Sequence, residues 1–443
     1  MRQFFLLLLF IPNFVFGQII DNRNAEISRA VNEISIANMQ QTIDDLVGFH
    51  TRSNFSSQTD PKQGIGAAAT YLQNRLNGYA AVSNGRMTVE MVPYTAVGER
   101  VGGELNLINV IATIKGNDSR IIALLAHYDS RALDNNSPTD FAPGANDDGS
   151  GVAALLEIAR LLSKKQLGAT VKLMFLSGEE HGLFGAQHQA KVADDEQWNL
   201  IAVINNDMIG NAEASETATH NNTVVRVFSE GIPLAETDEQ RRRRVFNSAE
   251  NDSPSRQLAR YIKEIGERYV DNMTVQLIYR NDRFGRGGDH TPFARQGFTA
   301  VRITEVNENY DRTHQNVFER DGIRFGDMPC GIDWEYLRKN TAVNLAATAN
   351  LAQAPYSPEN VKLDASGLSN IIEIAWQAPK QGKRPKGYYV LIRPTDVSTW
   401  QRKIFTTDTN IALPYSKDNY FFAVQSVDEN GFESLIVFAE GER

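Results

Sequence analysis

Cys330 is the only cysteine in 443 residues, so no intrachain disulfide braces this fold, and its stability must come from core size or from bound metal. It sits in a Pro-Cys-Gly stretch with no histidine near it in sequence, which argues against a cysteine nucleophile. Cationic excess is missing as well. The net charge is −9, which argues against nucleic acid as a partner, and the one dense basic run, Arg241–Arg244, reads as a solvated loop. No apolar run reaches the length of about 18 residues that spans a bilayer: Phe4–Phe16 is shorter and is broken by Pro12-Asn13. Preceded by Met1-Arg2 and closed by Gly17, that run has the parts of a secretory signal peptide. Residues 1–17 are therefore expected to be a leader, and the mature chain to be exported, periplasmic or secreted, with no stable membrane span after cleavage.

Several catalytic signatures are missing too. There is no His-Glu-x-x-His, because His181 directly follows Glu179-Glu180; no Gly-x-Ser-x-Gly elbow; no Walker loop and no dinucleotide glycine fingerprint. Neither a repeat of solenoid period nor a low-complexity tract interrupts the chain.

What is present centres on Ile121–Gly151. Ile121–Ala126 is an unbroken apolar run of strand length, the texture of a strand buried on both faces of a parallel sheet. His127 and Asp129 then stand at its carboxyl end, where open α/β sheets bind ligands. Val171–Leu176 and Leu200–Ile204 are further apolar strands, closed by Ser-Gly-Glu179-Glu180 and by Asn-Asn-Asp207. Val224–Phe228 and Ala300–Ile303 follow. Helical patterns at 24–49, 62–76, 151–164, 255–269 and 334–351 separate or flank these strands, and 86–115 reads as a hairpin. The expected fold is α/β, a mostly parallel sheet with helices on both faces. After the linker Ala354–Pro358 the pattern becomes short alternating strands with Trp376, Tyr388-Tyr389 and Tyr420, so 355–443 is expected to be a small all-β sandwich resembling a fibronectin type III domain.

Three strand ends carrying His127/Asp129, Glu179/Glu180 and Asp207 would bring several carboxylates to one sheet rim. Like charges so close take up protons unless a cation neutralises them, and mixed His and carboxylate donors suit zinc. A bridging carboxylate allows two ions about 3.5–4 Å apart to clamp a hydrolytic water; Asp147 in PGANDDGSG is the candidate bridge. A helix cap would account for one of the adjacent pair Asp147 and Asp148, not for both. Of Glu179 and Glu180, one is expected to be a ligand and the other a free base.

At AHYDS, PGANDDGSG, FLSGEEHGLFGA, NNDMIG and GGDHTPF the chain resembles the co-catalytic dizinc aminopeptidases, whose family also holds plasma-type glutamate carboxypeptidases, glutaminyl cyclases and the catalytically dead transferrin receptor. The likeness runs from about Asp21 to Gln353. It implies an exopeptidase domain over 18–354 and two zinc ions, one held by His127 and Asp207, the other by Glu180 and a downstream histidine, with Asp147 between them. It makes Glu179 the general base and Asp129 the carboxylate that orients His127. For the downstream histidine it favours His314 in ENYDRTHQNVF over His290 in GGDHTPF, and it puts Asp289 and His290 beside the substrate. Thr313 stands where some members carry a tyrosine that supports the oxyanion, so that donor is left unassigned. The implied activity is release of N-terminal residues from a peptide with a free N-terminus. Cyclase, carboxypeptidase and receptor-like relatives are the alternatives, and the sandwich would be a surface for protein or carbohydrate contact. His50, His181, His188 and His220 read as surface or helix-start histidines.

Overall fold

The computed structural model of the chain describes residues 22–442, so the leader expected at 1–17 lies outside the described residues. Three helices, α1 (Ala25–Asn32), α2 (Ile36–Gly48) and α3 (Gly64–Ala81), precede the hairpin β1 (Met87–Gly98) and β2 (Gly103–Ile114). There follow β3 (Ile121–His127), α4 (Gly149–Leu162), β4 (Thr170–Leu176), α5 (Phe184–Asp195), β5 (Leu200–Asn206), β6 (Val224–Phe228), α6 (Asp238–Phe246), α7 (Pro254–Tyr269), β7 (Thr274–Ile278), α8 (His290–Arg295) and β8 (Ala300–Glu305). A small hairpin, β9 (Phe318–Arg320) and β10 (Ile323–Phe325), leads to the long helix α9 (Trp334–Gln353). The main sheet has the order β1-β2-β4-β3-β5-β8-β6-β7. Its centre, β4-β3-β5-β8, is parallel, whereas the β1–β2 hairpin and the β6–β8 pairing are antiparallel.

Alternation along the strands decides what lies on each face. Ile122, Leu124 and Ala126 of β3 join one apolar cluster with helices α1 to α4, α7 and α9, while Ala123 and Leu125 join another with α5 and α8. Both leucines are fully buried, which is why the run carries no polar residue. Truncating either to alanine would cost about 2–5 kcal/mol. With the strands parallel, the carboxyl ends of β3, β4 and β5 emerge at one rim, and that rim carries the chemistry.

The carboxyl-terminal strands β11 (Glu359–Asp364), β12 (Ile372–Gln377), β13 (Gly387–Pro394), β14 (Arg402–Thr406), β15 (Asn410–Leu413), β16 (Tyr420–Val427), β17 (Val437–Phe438) and β18 (Glu440–Glu442) form two four-stranded sheets, β15-β12-β11-β18 and β14-β13-β16-β17. Trp376, Tyr388, Val390, Ile392 and Phe422 fill the space between them. The sandwich is docked on α7 through buried ion pairs. Asp252 accepts from Arg260 and Arg393 at 2.6 Å each. Glu433 accepts from Arg268 at 2.7 Å and from Lys403 at 2.6 Å, and Lys403 also reaches Glu264.

Two expectations are corrected. Arg241–Arg244 lies on α6, not in a loop: Thr237 and Gln240 make a capping box, and Arg244 pairs with Glu236 and Glu250. No residue of α6 is buried, so the solvated character holds while the loop does not. His181 is buried, with 1 % of its surface exposed, because its ring is taken into a hydrogen-bonded network described below.

Candidate metal centre

His127 ends β3 and Asp207 follows β5 at the same rim. Its Nδ1 donates to the carbonyl of Asp129 at 3.1 Å and lies 3.5 Å from the Asp129 carboxylate. That leaves Nε2 as the free donor atom, 3.1 Å from Asp147 Oδ1. The other carboxylate oxygen of Asp147 lies 2.9 Å from His314 Nε2, which is in turn 3.1 Å from Glu180 Oε1. Two groups of three result, His127–Asp147–Asp207 and Asp147–Glu180–His314, each with one donor atom per residue and all of those atoms within 4.8 Å of one another. Asp147 belongs to both.

Charge crowding has the expected effect on protons. Burial alone would lower the pKa of His127, but Glu179, Asp129 and Asp147 outweigh it and hold it well above the ordinary value. Burial would likewise lower His314, yet Glu180 and Asp147 push it up to about 10. For Asp147 burial acts upward, and the two imidazoles override it and draw the carboxyl well below the usual range. Glu179 goes the other way: burial, with Asp207, Glu180 and Asp289 adding to it against His127, raises it well above the carboxylate range. A site without a cation is thus a cluster of protonated imidazoles and a protonated acid, the state that a divalent ion would displace.

The donors are fixed by Asp129 and Asp148, and by Asn54, His181, Arg52 and Asp327, for which the sequence reading names no role at the site. Asp129 accepts from the backbone amides of Glu179 and Glu180 at 3.3 and 3.2 Å, so it orients both the His127 ring and the turn that carries the two glutamates. Asn54, fully buried between α2 and α3, donates to Asp129 at 2.6 Å and to His181 Nδ1 at 2.9 Å, and accepts from Gly178 N at 3.0 Å. His181 Nε2 in turn donates to the Asn135 carbonyl at 2.9 Å. The guanidinium of Arg52 donates to the carbonyls of Leu46, Tyr128, Pro143 and Gly144. Asp327 accepts from the amides of Asn146 and Asp147, which pins the turn before α4. Asp148 caps α4 through Gly151 N and also accepts from His127 N and Met208 N. Met208 and His314, at φ of 57° and 60°, hold left-handed backbone that non-glycine residues seldom adopt. Met208 is kept there by Asp148, Thr304 and Glu305.

His290 stands outside both groups of donors. Its Nε2 donates to the Asn281 carbonyl at 2.9 Å, and the ring is buried beside Asp282. Asp289 is buried with neither carboxylate oxygen hydrogen-bonded among the described residues, and burial, with Asp129 and Asp207 adding to it against His127, lifts it to about 8. The Thr313 hydroxyl has two acceptors within reach, the Asn309 carbonyl at 3.2 Å and Met208 Sδ at 3.7 Å. The signal that could have found Asn54 and Arg52 is the polar Thr51–Ser56 stretch that breaks two helical patterns. For Asp327 the sequence offers none.

A parallel-centred sheet whose carboxyl rim gathers imidazoles and carboxylates around one shared acid has the form of a metal-dependent hydrolase. Known proteins resolve the class. The model of Peptidase family M28 matches residues 109–322. A probable zinc metalloprotease of Pyricularia oryzae is 39% identical over 434 residues, 96% of this chain and 86% of that protein. Another, from Pyrenophora tritici-repentis, is 39% identical over 421 residues, 92% of this chain and 95% of its own. The chain belongs to peptidase family M28 and is a zinc metallopeptidase. Among solved structures, the LapA aminopeptidase of Legionella pneumophila superimposes with a TM-score of 0.54 at 18% identity, over 76% of this chain and 77% of that one. The aminopeptidase of Aneurinibacillus sp. strain AM-1 gives 0.53 at 16% identity, over 75% and 96%. At such identities the likeness is one of fold.

Proposed function

We propose that the chain is an exported aminopeptidase that works with two zinc ions and releases residues from the free N-terminus of a peptide. The observation that carries this reading is the sharing of Asp147 between two otherwise separate donor groups. His127 and Asp207 would hold one ion, Glu180 and His314 the other, and Asp147 both. The donor chemistry fits: imidazole nitrogens and carboxylate oxygens converge within ligand distance. Bound zinc supplies the Lewis acidity that polarises a peptide carbonyl and activates water.

The remaining work falls to side chains. Glu179 belongs to neither donor group, so its carboxylate is free to take the proton of the attacking water and return it to the leaving amine. Asp129 holds the His127 ring and, through two backbone amides, the Glu179–Glu180 turn. Asp289 has oxygens unclaimed by the protein, and a substrate ammonium is the group whose N–H donors would complement them; this supports the free N-terminus as the feature recognised. His290 supports the Asp289 segment from behind. Export rests on the Met1–Gly17 pattern. The peptidase unit is 18–354, with the sandwich of 355–443 docked on α7.

The test compares one short peptide in four forms, with free or acetylated N-terminus and free or amidated carboxyl terminus. Release of the first residue from both forms with a free N-terminus, and none from the acetylated ones, is expected. Cleavage that instead requires the free carboxyl terminus would make the protein a carboxypeptidase, and pyroglutamate formation from an N-terminal glutamine without hydrolysis would make it a cyclase.

A further inference from the structure

The two donor groups have the same make-up: one imidazole, one carboxylate of their own, and Asp147 in common. What stands behind them differs. Asp207 Oδ1 is ion-paired with Arg302 Nη2 at 2.9 Å, whereas no cation pairs with Glu180 apart from His314 among the described residues. Arg302 lies on β8, directly across from Asn205 of β5, and is completely buried. Its Nη1 is held from the far side by Asp282 at 3.2 Å and by the Gly287 carbonyl at 3.1 Å, while Nη2 also lies 3.4 Å from the Asp207 carbonyl. A planar fork anchored at both ends cannot follow Asp207 if that carboxylate turns.

We propose that Arg302 is a positioning residue that occupies one oxygen of Asp207, confines that carboxylate to one-oxygen ligation, and thereby makes the ion on the His127 side the more weakly held of the two. The inference rests on the reading of Asp207 as a zinc ligand. A carboxylate paired at 2.9 Å with a permanent cation has less negative charge to give a metal, and groups behind a ligand change metal affinity by about 10–100-fold. The opposing influence is Asp129 behind His127. That contact runs through a backbone carbonyl, with the carboxylate 3.5 Å from the ring nitrogen, and is the weaker of the two against a full cation in direct contact.

The test uses the full chain, stripped and then titrated with Zn²⁺ against a competing chelator, and separately loaded with Co²⁺ for its visible spectrum. Two resolved affinities are expected for the unaltered protein. Arg302→Met should tighten the weaker one by about 10–100-fold and lower the cobalt absorbance as Asp207 supplies its second oxygen. Arg302→Lys should stay near the unaltered pattern. The double variant Arg302→Met with Asp282→Asn removes the acid left without its partner and should repeat the single variant's result in a chain whose fold is checked by circular dichroism. Asp207→Asn separates the two ideas. If it leaves both affinities unchanged, Asp207 is not a ligand and the underlying reading fails. If it abolishes one ion while both Arg302→Met chains keep the original affinities and spectrum, or loosen both ions alike, Arg302 is merely structural and the proposal is overturned.

Discussion

Adjacent glutamates given different work must fail differently, so Glu179→Gln and Glu180→Gln form a matched pair. Both changes preserve shape, and the backbone amides that hold the turn to Asp129 are untouched. Glu179 belongs to neither donor group, so zinc content should stay at the unaltered level while the proton acceptor is gone. General-base catalysis is worth about 10²–10⁴ in rate, or about 2.7–5.5 kcal/mol in the barrier. Turnover should fall by that factor with little change in KM, since the amide still fills the same space. Glu180→Gln removes the charge from the Asp147–Glu180–His314 group. Its effect on affinity for one ion should exceed the roughly 10–100-fold of outer partners, and added zinc should restore part of the activity. Elemental analysis after dialysis, together with turnover on a free-N-terminus peptide, reads both. If Glu179→Gln loses metal and Glu180→Gln keeps it, the roles are reversed.

Asp147→Asn should cost both ions, because the carboxylate serves both groups; loss of a single ion would refute the bridge. Zinc binding near pH 7 should release about three protons, one from each imidazole and one from Glu179, because His127 and Glu179 are raised and His314 lies at about 10 without metal. Affinity should therefore rise with pH through neutrality, and calorimetry in buffers of different ionisation enthalpy would detect the protons; no buffer dependence would contradict the protonated site. At the sandwich, burial acts upward on Glu433, but Lys403 and Arg268 outweigh it and depress its pKa. Its stabilisation is thus complete above the unfolded carboxylate value of about 4.3 and disappears as pH falls toward the depressed one. Glu433→Gln should lower stability by about 3–5 kcal/mol at neutral pH, and a melting temperature unchanged from pH 8 to 3 would argue against a buried charged contact.

The sheet was legible because it obeys local rules, whereas the donor set was named from strand ends together with the family resemblance. An apolar run with no polar interruption is a strand buried on both faces, and the residues at its carboxyl end face the ligand. His127, Asp147, Glu180, Asp207 and His314, named from strand ends and motif likeness, come together within 4.8 Å in their two groups. The supports were not legible, since they are set by the fold's long-range geometry. Asn54 lies 75 positions from Asp129, Asp327 lies 180 from Asp147, and Arg302 lies 95 from Asp207. No periodicity links such pairs. His181 was misread for the same reason: a histidine in a Gly-flanked turn is usually solvated, and only Asn54 and Asn135 make burial acceptable. The linker Ala354–Pro358 marks where the sandwich begins but not how it is held, since the ion pairs that dock it come from α7 and from strands far along the chain.

Neighbouring acids show how one short turn can carry two opposite tasks. Asp147 and Asp148 are both buried, and burial by itself would protonate both. Asp147 faces two imidazoles and is driven well below the usual carboxylate range, which suits a permanent ligand. Asp148 turns to backbone amides and feels Asp207 and Asp147 at its back, so it is driven up, which suits a cap that knits β3, β5 and α4 together. The glutamate pair divides in the same manner: Glu180 lies against His314, while Glu179 is raised by burial and by Asp207, Glu180 and Asp289, which together outweigh His127. In each pair the residue with an oxygen within 3.1 Å of an imidazole nitrogen is the one suited to hold metal. The other is left with high proton affinity, useless as a ligand until a cation arrives nearby and well placed, in the case of Glu179, to accept a proton once it has.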